Sequence, residues 1–260
     1  MNARLARWLQ CSLIVLLLQA SGTVNAQTPV IKACGHPFYP PVSWVQQGQL
    51  LGVAPKVSQL LFNALGYEVE LQAESNWKRC LRQVEQGQVD IVVAAYRIAE
   101  RERYLHFSRQ PVISDPISLF INRQHPFSFD RLEDLEGKTV GLLLGDSFGD
   151  KFDRYLRDHT RIEYVSSGLQ NFGKLALGRI DFMPLGRLSG ELQSQKLGFN
   201  QIVPLDPVIS TEYYYLAIGH HSGLAHHLPE IDRHLTRMRQ DGTLTRLIQK
   251  QSQRYLAPDQ

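Results

Sequence analysis

The sequence is poor in cysteine and balanced in charge, and both features exclude some classes of function. Only three of the 260 residues are cysteines, and neither Cys34 nor Cys80 stands in a Cys-x-x-Cys pair or near a second ligand at zinc spacing, which argues against a metal centre. The 28 basic and 25 acidic residues nearly cancel and form no basic cluster, so nucleic acid is not an expected partner. No low-complexity segment or short-period repeat occurs.

Long apolar runs are also missing, and the first 26 residues are typical of a secretory signal peptide. Arg4 and Arg7 form a positive n-region, and the apolar run at 9–18 is shorter than the about 18–20 residues that cross a bilayer, as a membrane anchor would require. Small residues at Val24 and Ala26 occupy the positions that signal peptidase reads. We therefore expect cleavage after Ala26 and a periplasmic protein.

A periplasmic location bears on Cys34 and Cys80, because that compartment oxidises thiols. An even pair of cysteines there favours a disulfide. Two buried free thiols are the alternative.

Strand-like and helix-like segments alternate along the rest of the chain. Strands are expected at 30–33, 69–71 and 89–95 and helices at 55–66 and 77–86, whereas the prolines in 34–44 predict a loop. This alternation predicts parallel pairing in a doubly wound layer. A second layer is expected from 132 to 205, with a strand at 139–145 that runs into a helix starting near Asp146 or Ser147. A strand at 213–218 and helices at 228–239 and 244–252 are expected to return to the first layer.

A series of motifs gives the chain a family resemblance. GxxxKVxxLLFxALG is followed by Trp77 thirteen positions before Asp90 in EQGQVDIVVAA, then by ER and FS at 100–108, DLEGKTVGLLLG, LALGRIDF and MRQDGTLTRLI. The series, from about 30 to 255, resembles the periplasmic solute-binding proteins of the polar amino acid family, also called bacterial extracellular solute-binding protein family 3.

The resemblance implies an α/β protein with the two-lobed periplasmic-binding-protein fold, in which two doubly wound sheets are joined by a two-strand hinge. Lobe 1 would comprise 27–112 and 213–260, lobe 2 would comprise 117–205, and the hinge would lie at about 112–117 and 205–212. The implied function is periplasmic binding of a small carboxylate-bearing solute, an amino acid or related organic acid. Hinge closure would then allow a monomer to deliver it to the permease of an ABC importer.

The resemblance also supplies candidate ligand-binding residues. Arg101 matches the family's carboxylate-binding arginine, whose guanidinium can grip a carboxylate with two parallel hydrogen bonds. Tyr39 and Trp77 match the aromatic residues that would enclose the ligand's apolar part. The alternative is that Arg101 is a solvated helix residue and the two aromatic residues belong to the core.

The segment Gly145-Asp146-Ser147 matches the segment at which a helix begins in members of the family. Asp146 and Ser147 would lie at an anion site made by backbone N–H groups and the positive helix end. Ordinary N-capping by either side chain is the alternative.

Two departures from the family weaken the expectation of an ordinary amino acid. Gly186 occupies the position of the aspartate that holds the ligand's ammonium group, and Ala94 and Tyr96 replace serine or threonine partners at the strand end. Either Asp146, Asp115 or Glu212 replaces the missing acid, or the ligand is not an α-amino acid. His36 is a further candidate pocket residue, or merely a solvated loop histidine, and Asp90 is expected to fix the turn before its strand.

Two other functions compete with import. The same fold would serve a ligand sensor that docks on a membrane signalling receptor, and the resembling cyclohexadienyl dehydratases are periplasmic enzymes. Their glutamate would fall near Ser189, and Glu191 is two positions away. The sequence has no Ser-His-Asp order, metal cluster or phosphate loop. We therefore expect no catalytic residue, no metal and no cofactor.

Overall fold

The computed structural model describes residues 28–74, 76–210 and 213–258. The signal peptide, its cleavage site and Glu212 lie outside this part of the chain. The strands are β1 (Val30–Cys34), β2 (Phe38–Tyr39), β3 (Ser43–Gln46), β4 (Gln49–Leu51), β5 (Glu68–Gln72), β6 (Ile91–Tyr96), β7 (Leu105–Phe107), β8 (Ile113–Ser114), β9 (Ile117–Asn122), β10 (Thr139–Leu143), β11 (Arg161–Val165), β12 (Met183–Gly186), β13 (Ile202–Ser210) and β14 (Tyr213–Gly219).

Helices lie between most of these strands. The α-helices are α1 (Val53–Ala64), α2 (Trp77–Glu85), α3 (Ala99–Glu102), α4 (Asp150–His159), α5 (Gly168–Ala176), α6 (Arg187–Leu197), α7 (Leu228–Gln240) and α8 (Thr243–Leu256). Short 3-10 helices occupy Leu132–Leu135, His220–Ser222 and Leu224–His227. No helix within the described ranges is long and apolar enough to span a membrane.

The first sheet has the strand order β5-β1-β6-β14-β7, and β8 pairs with β14. β1 runs parallel to β5 and β6, whereas β14 runs antiparallel to β6 and β7. All six residues of β6 are buried, as expected for a strand covered on both faces. Successive β6 residues alternate between the faces, so Ile91 belongs to the core that contains Leu61 of α1 and Val92 to the core that contains Leu81 of α2.

A disulfide joins Cys34 at the end of β1 to Cys80 in α2. Both cysteines are fully buried. The predicted pairing is therefore confirmed, and it ties the strand to the helix that begins at Trp77.

A second sheet region forms between β9 and β13. β12, β9 and β13 pair antiparallel, β10 and β11 pair parallel, and a parallel bridge between Val140 and Phe182 links the two groups. The expected α/β class is thus confirmed. The lobe boundaries and the hinge stay predictions.

The structure corrects two expectations about local structure. Residues 34–44 contain β2 and part of a three-stranded antiparallel sheet, β2-β3-β4, because the prolines lie at the ends of short strands and leave the pairing positions free. The helix expected from Asp146 or Ser147 begins at Asp150 with Gly149 as N-cap, at φ 101°. The Asp153 carboxylate accepts a hydrogen bond from the Phe148 backbone N–H, 2.8 Å away, and so holds the preceding turn outside the helix.

Candidate functional site

One small cavity lies between the first sheet and the second sheet region. Its lining includes every predicted site residue except Gly186, namely His36, Tyr39, Trp77, Ala94, Tyr96, Arg101, Asp146 and Ser147, together with Val42, Ala95, Phe148 and Tyr214. The cavity has a volume of about 20 Å³, which holds about one water molecule. This cavity is therefore too small for a solute, whereas Arg101, Asp146 and Ser147 also line a neighbouring cavity of about 660 Å³.

Arg101 lies in α3, just after β6, and its side chain is only 4 % exposed. Its Nη1 donates to the Tyr96 carbonyl at 3.1 Å and its Nη2 donates across the cleft to the Gly145 carbonyl at 2.9 Å. The guanidinium carbon lies 5.5 Å from the centre of the Trp77 ring. Burial lowers the pKa of Arg101, but the ordinary pKa of arginine is so high that the guanidinium keeps its charge.

No carboxylate neutralises this charge directly. Arg101 forms no salt bridge with any acidic residue among those described, and its hydrogen bonds go to neutral carbonyls. A buried cation is costly unless an anion pairs with it. Asp146 and Asp153 act on Arg101 only through space, by raising its pKa, so the guanidinium can still accept a direct pairing with the anion of a solute.

His36 connects the two sides of the cleft. Its Nδ1 accepts the Phe38 backbone N–H at 3.0 Å, so the proton of the neutral ring is on Nε2. Nε2 then donates to Asp146 Oδ1 at 3.1 Å. The ring also lies between Tyr39 and Trp77, with centroids 5.4 and 5.3 Å away. Both aromatic residues predicted to enclose a ligand therefore contact this imidazole.

The turn Gly145-Asp146-Ser147 faces Arg101 from the second sheet region. The Asp146 N–H donates to the Leu143 carbonyl at 3.0 Å, and the Ser147 hydroxyl donates to the Asp153 carboxylate. Burial raises the pKa of Asp153. Within the described ranges the N–H groups of Gly145 and Ser147 form no hydrogen bond. These amides, rather than a helix end, are the groups that this turn offers to an anion.

Three tyrosines, Tyr39, Tyr96 and Tyr214, form what we call the tyrosine cluster. Tyr96 stacks on Tyr214 at a centroid distance of 4.1 Å, and Tyr39 lies 5.3 Å from Tyr214. Burial raises the pKa of all three phenols. Tyr39 Oη accepts the Gly186 N–H at 2.6 Å, and its hydroxyl interacts with that of Tyr214, which interacts in turn with that of Tyr96.

Asp115 lies next to this cluster, between β8 and β9. Its carboxylate accepts the N–H groups of Leu188 at 2.9 Å and Ser189 at 3.1 Å, at the start of α6. A β-carbon at position 186 would lie 2.1 Å from Asp115 Oδ2 and 2.7 Å from Tyr39 Oη. Asp115 therefore fills the space that a side chain at Gly186 would need. Burial raises its pKa to about 7, although the two N–H groups lower it.

Sequence reasoning did not select Tyr214. Its only sequence signal is a run of three tyrosines at the start of β14, and its place beside Tyr96 depends on the antiparallel pairing of β14 with β6. Asp90 accepts the Lys32 N–H at 2.7 Å and so ties β6 to β1.

The residues considered for an enzyme lie away from the cavity lining. Glu191 pairs with Arg187 at 3.4 Å. Ser189 is buried and its hydroxyl accepts from Gln193 at 3.1 Å. Neither side chain contacts Arg101 or the Gly145-Ser147 turn.

Comparisons with known proteins agree with this architecture. The model of the family described as "Bacterial extracellular solute-binding proteins, family 3" matches residues 31–253. PatH of Vibrio harveyi, which carries the name of an amino-acid ABC transporter-binding protein, is 23 % identical over 94 % of this chain and 96 % of its own. The L-cystine-binding protein TcyJ of Escherichia coli K12 is 25 % identical over 82 % of this chain and 78 % of its own.

Solved structures share the fold. An ancestral arginine-binding protein bound to arginine superposes with a TM-score of 0.73 at 21 % identity and covers 85 % of this chain and 97 % of its own.

Proposed function

Since the chain belongs to the bacterial extracellular solute-binding proteins, family 3, we propose that it binds an amino acid or closely related carboxylate in the cleft and delivers it to an ABC importer. The relatives PatH and TcyJ are named for amino-acid ligands, which favours that class over other small acids. The protein would bind its solute in the periplasm, after removal of residues 1–26.

The observation that carries this proposal is the charge of Arg101. The guanidinium is buried and lies near the Trp77 ring, and within the described ranges its hydrogen bonds go to two carbonyls. A solute carboxylate would replace the Gly145 carbonyl, pair with Nη2 and Nη1, and accept the free N–H groups of Gly145 and Ser147. Charge-assisted, bidentate hydrogen bonds of this kind are stronger than those between neutral groups.

Opening and closing of the cleft would couple binding to delivery. The contacts that close the cleft join its two sides directly, through Arg101 to Gly145, His36 to Asp146 and Tyr39 to Gly186. We place the hinge at 112–117 and 205–212. A solute that contacts both sides would shift the population towards the closed form, because it binds that form better.

A thermal-shift screen tests the proposed class. The purified protein without its first 26 residues would be heated with each of the twenty amino acids, L-cystine, and a set of organic acids. A ligand that binds only the folded state raises the melting temperature. We expect one or a few amino acids to do so in the wild type and in Arg103→Ala, whose side chain is exposed. The Arg101→Ala and Arg101→Lys variants should lose most of the shift.

The same fold would also serve a sensor that docks on a membrane receptor, and delivery is tested separately from binding. Deletion of the importer genes should abolish uptake of the bound solute. A strain that lacks the importer but keeps every solute-dependent response would instead support sensing.

A further inference from the structure

We propose that a cavity between α1 and α8 binds a small anion that carries more than one negative charge, such as a phosphate ester. The cavity has a volume of about 490 Å³, which is in the range of small-molecule sites in proteins. Its walls come from the β3-β4 hairpin, the start of α1, the end of β5 and the last turns of α8. It shares no lining residue with the cavities beside Arg101, so this site goes beyond the proposed function.

Every charged side chain in the wall of this cavity is positive. Lys56 of α1 and Lys250 and Arg254 of α8 line it, whereas no aspartate or glutamate of the described ranges does so. The cavity of about 660 Å³ beside Arg101 differs, because cations and carboxylates line it together. Charges of one sign around a concave surface raise the local concentration of ions of the opposite sign. The cavity between α1 and α8 therefore favours an anion.

The three cations have no partner in the protein. Lys56, Lys250 and Arg254 form no salt bridge and no side-chain hydrogen bond within the part of the chain that the structure describes. By contrast, Arg79 and Lys174 each pair with a glutamate, at 3.2 and 2.8 Å. All three cations of the cavity are exposed, so an anion that enters from solvent can contact them.

The positions of these cations disfavour a cavity without an anion. Lys250 and Arg254 are four residues apart in α8, a spacing at which two like charges on one helix face repel each other. Lys56 lies at the start of α1, where the helix dipole is positive; the first turn has no acidic residue, and the N-cap Gly52 has no side chain to accept a hydrogen bond. A bound anion would offset both repulsions.

The uncharged part of the wall suits the rest of such a solute. Gln49, Gln59 and Gln251 line the cavity, and their amides can donate hydrogen bonds to the oxygens of an anion. Gln251 is only 6 % exposed, so the protein around it holds this side chain in place. Leu50 and Leu71 add apolar surface. An anion that carries an organic group, rather than a bare ion, would contact both kinds of wall.

Calorimetric titration with pyrophosphate, at pH 7 and constant ionic strength, tests the site. We expect the wild type to bind pyrophosphate at least about tenfold more tightly than acetate, because several charge-assisted hydrogen bonds replace one. The double variant Lys250→Gln and Arg254→Gln should weaken pyrophosphate binding at least about tenfold. Lys56→Gln should also weaken it, although this residue belongs to a different helix.

Two controls separate this site from net charge and from the cleft. The double variant Arg109→Gln and Arg179→Gln removes two exposed positive charges outside the cavity, and it should bind pyrophosphate as the wild type does. Arg101→Ala should also bind pyrophosphate with wild-type affinity, because Arg101 does not line this cavity.

Three outcomes would overturn the site. The first is a folded wild type that does not bind pyrophosphate. The second is an equal loss of affinity in the two double variants, which would reflect net charge alone. The third is a loss in Arg101→Ala with wild-type affinity in the Lys250 and Arg254 double variant, which would place the anion in the cleft. None of these results changes the proposed function, because that function is tested with amino acids.

Discussion

Position 186 is where the closed cleft has no room for a side chain, so Gly186→Ala is a direct test of the packing described above. The glycine has φ −55° and ψ 134°, a conformation that alanine adopts without strain. The added carbon would lie 2.1 Å from Asp115 Oδ2, 2.4 Å from its Cγ and 2.7 Å from Tyr39 Oη. All three distances are far shorter than van der Waals contact, so neighbouring atoms have to move.

The contact of the added carbon with Tyr39 and its contact with Asp115 should be relieved to different extents. Opening the cleft separates Tyr39 from position 186, but Asp115 is held beside it by the N–H groups of Leu188 and Ser189. Overpacking costs about 1–3 kcal/mol and a strained hydrogen bond to a charged group costs about 1.5 kcal/mol or more. We expect Gly186→Ala to lower the free energy of unfolding by about 2–4 kcal/mol, or the melting temperature by about 4–16 °C.

Urea unfolding at pH 7 measures this change. Gly173→Ala is the matched control, because Gly173 lies inside α5 and a β-carbon there meets no atom within 4 Å. Alanine in that helix should stabilise the protein by about 0.5–1 kcal/mol. If Gly186→Ala unfolds within about 0.5 kcal/mol of wild type, the close packing of Asp115 against position 186 is wrong.

Three further predictions concern stability. The double variant Cys34→Ala and Cys80→Ala should lose about 4 kcal/mol of unfolding free energy, since the disulfide closes a loop with a sequence separation of 46; a loss below about 1 kcal/mol in urea unfolding would contradict this. The folded state raises the pKa of Asp115 from 3.8 to about 7 and so binds more protons than the unfolded state between these values. Stability should therefore fall as pH rises through this window, by roughly 1–4 kcal/mol, and the slope should flatten in Asp115→Asn. Tyr214→Phe removes a buried hydroxyl that interacts with the hydroxyls of Tyr39 and Tyr96, so its unfolding free energy should fall by about 1 kcal/mol; an unchanged unfolding free energy in urea would mean that this hydroxyl makes no hydrogen bond in the folded protein.

Much of the first sheet was predictable because its signals are local. The buried run of β6 follows an amphipathic helix that ends before Gly87, and α2 begins at Trp77 as expected. Arg101 and Trp77 were named from motif positions, and the structure brings their side chains together.

Features that depend on distant contacts were not predictable. The start of α4 is shifted to Asp150 because Asp153 binds the Phe148 N–H and the Ser147 hydroxyl. Tyr214 reaches Tyr96 only because β14 returns to pair with β6. Neither arrangement leaves a periodic pattern in the sequence.

The central claim, that a buried arginine anchors the solute carboxylate, is tested most directly by the affinity of Arg101 variants. Calorimetric titration with the amino acid that gives the largest thermal shift should show at least about a 100-fold loss of affinity in Arg101→Ala, equivalent to about 2.7 kcal/mol, and a smaller loss in Arg101→Lys. Arg103→Ala, which removes an exposed neighbour, should bind as the wild type does. An Arg101→Ala protein that folds and binds this amino acid with wild-type affinity would contradict the account.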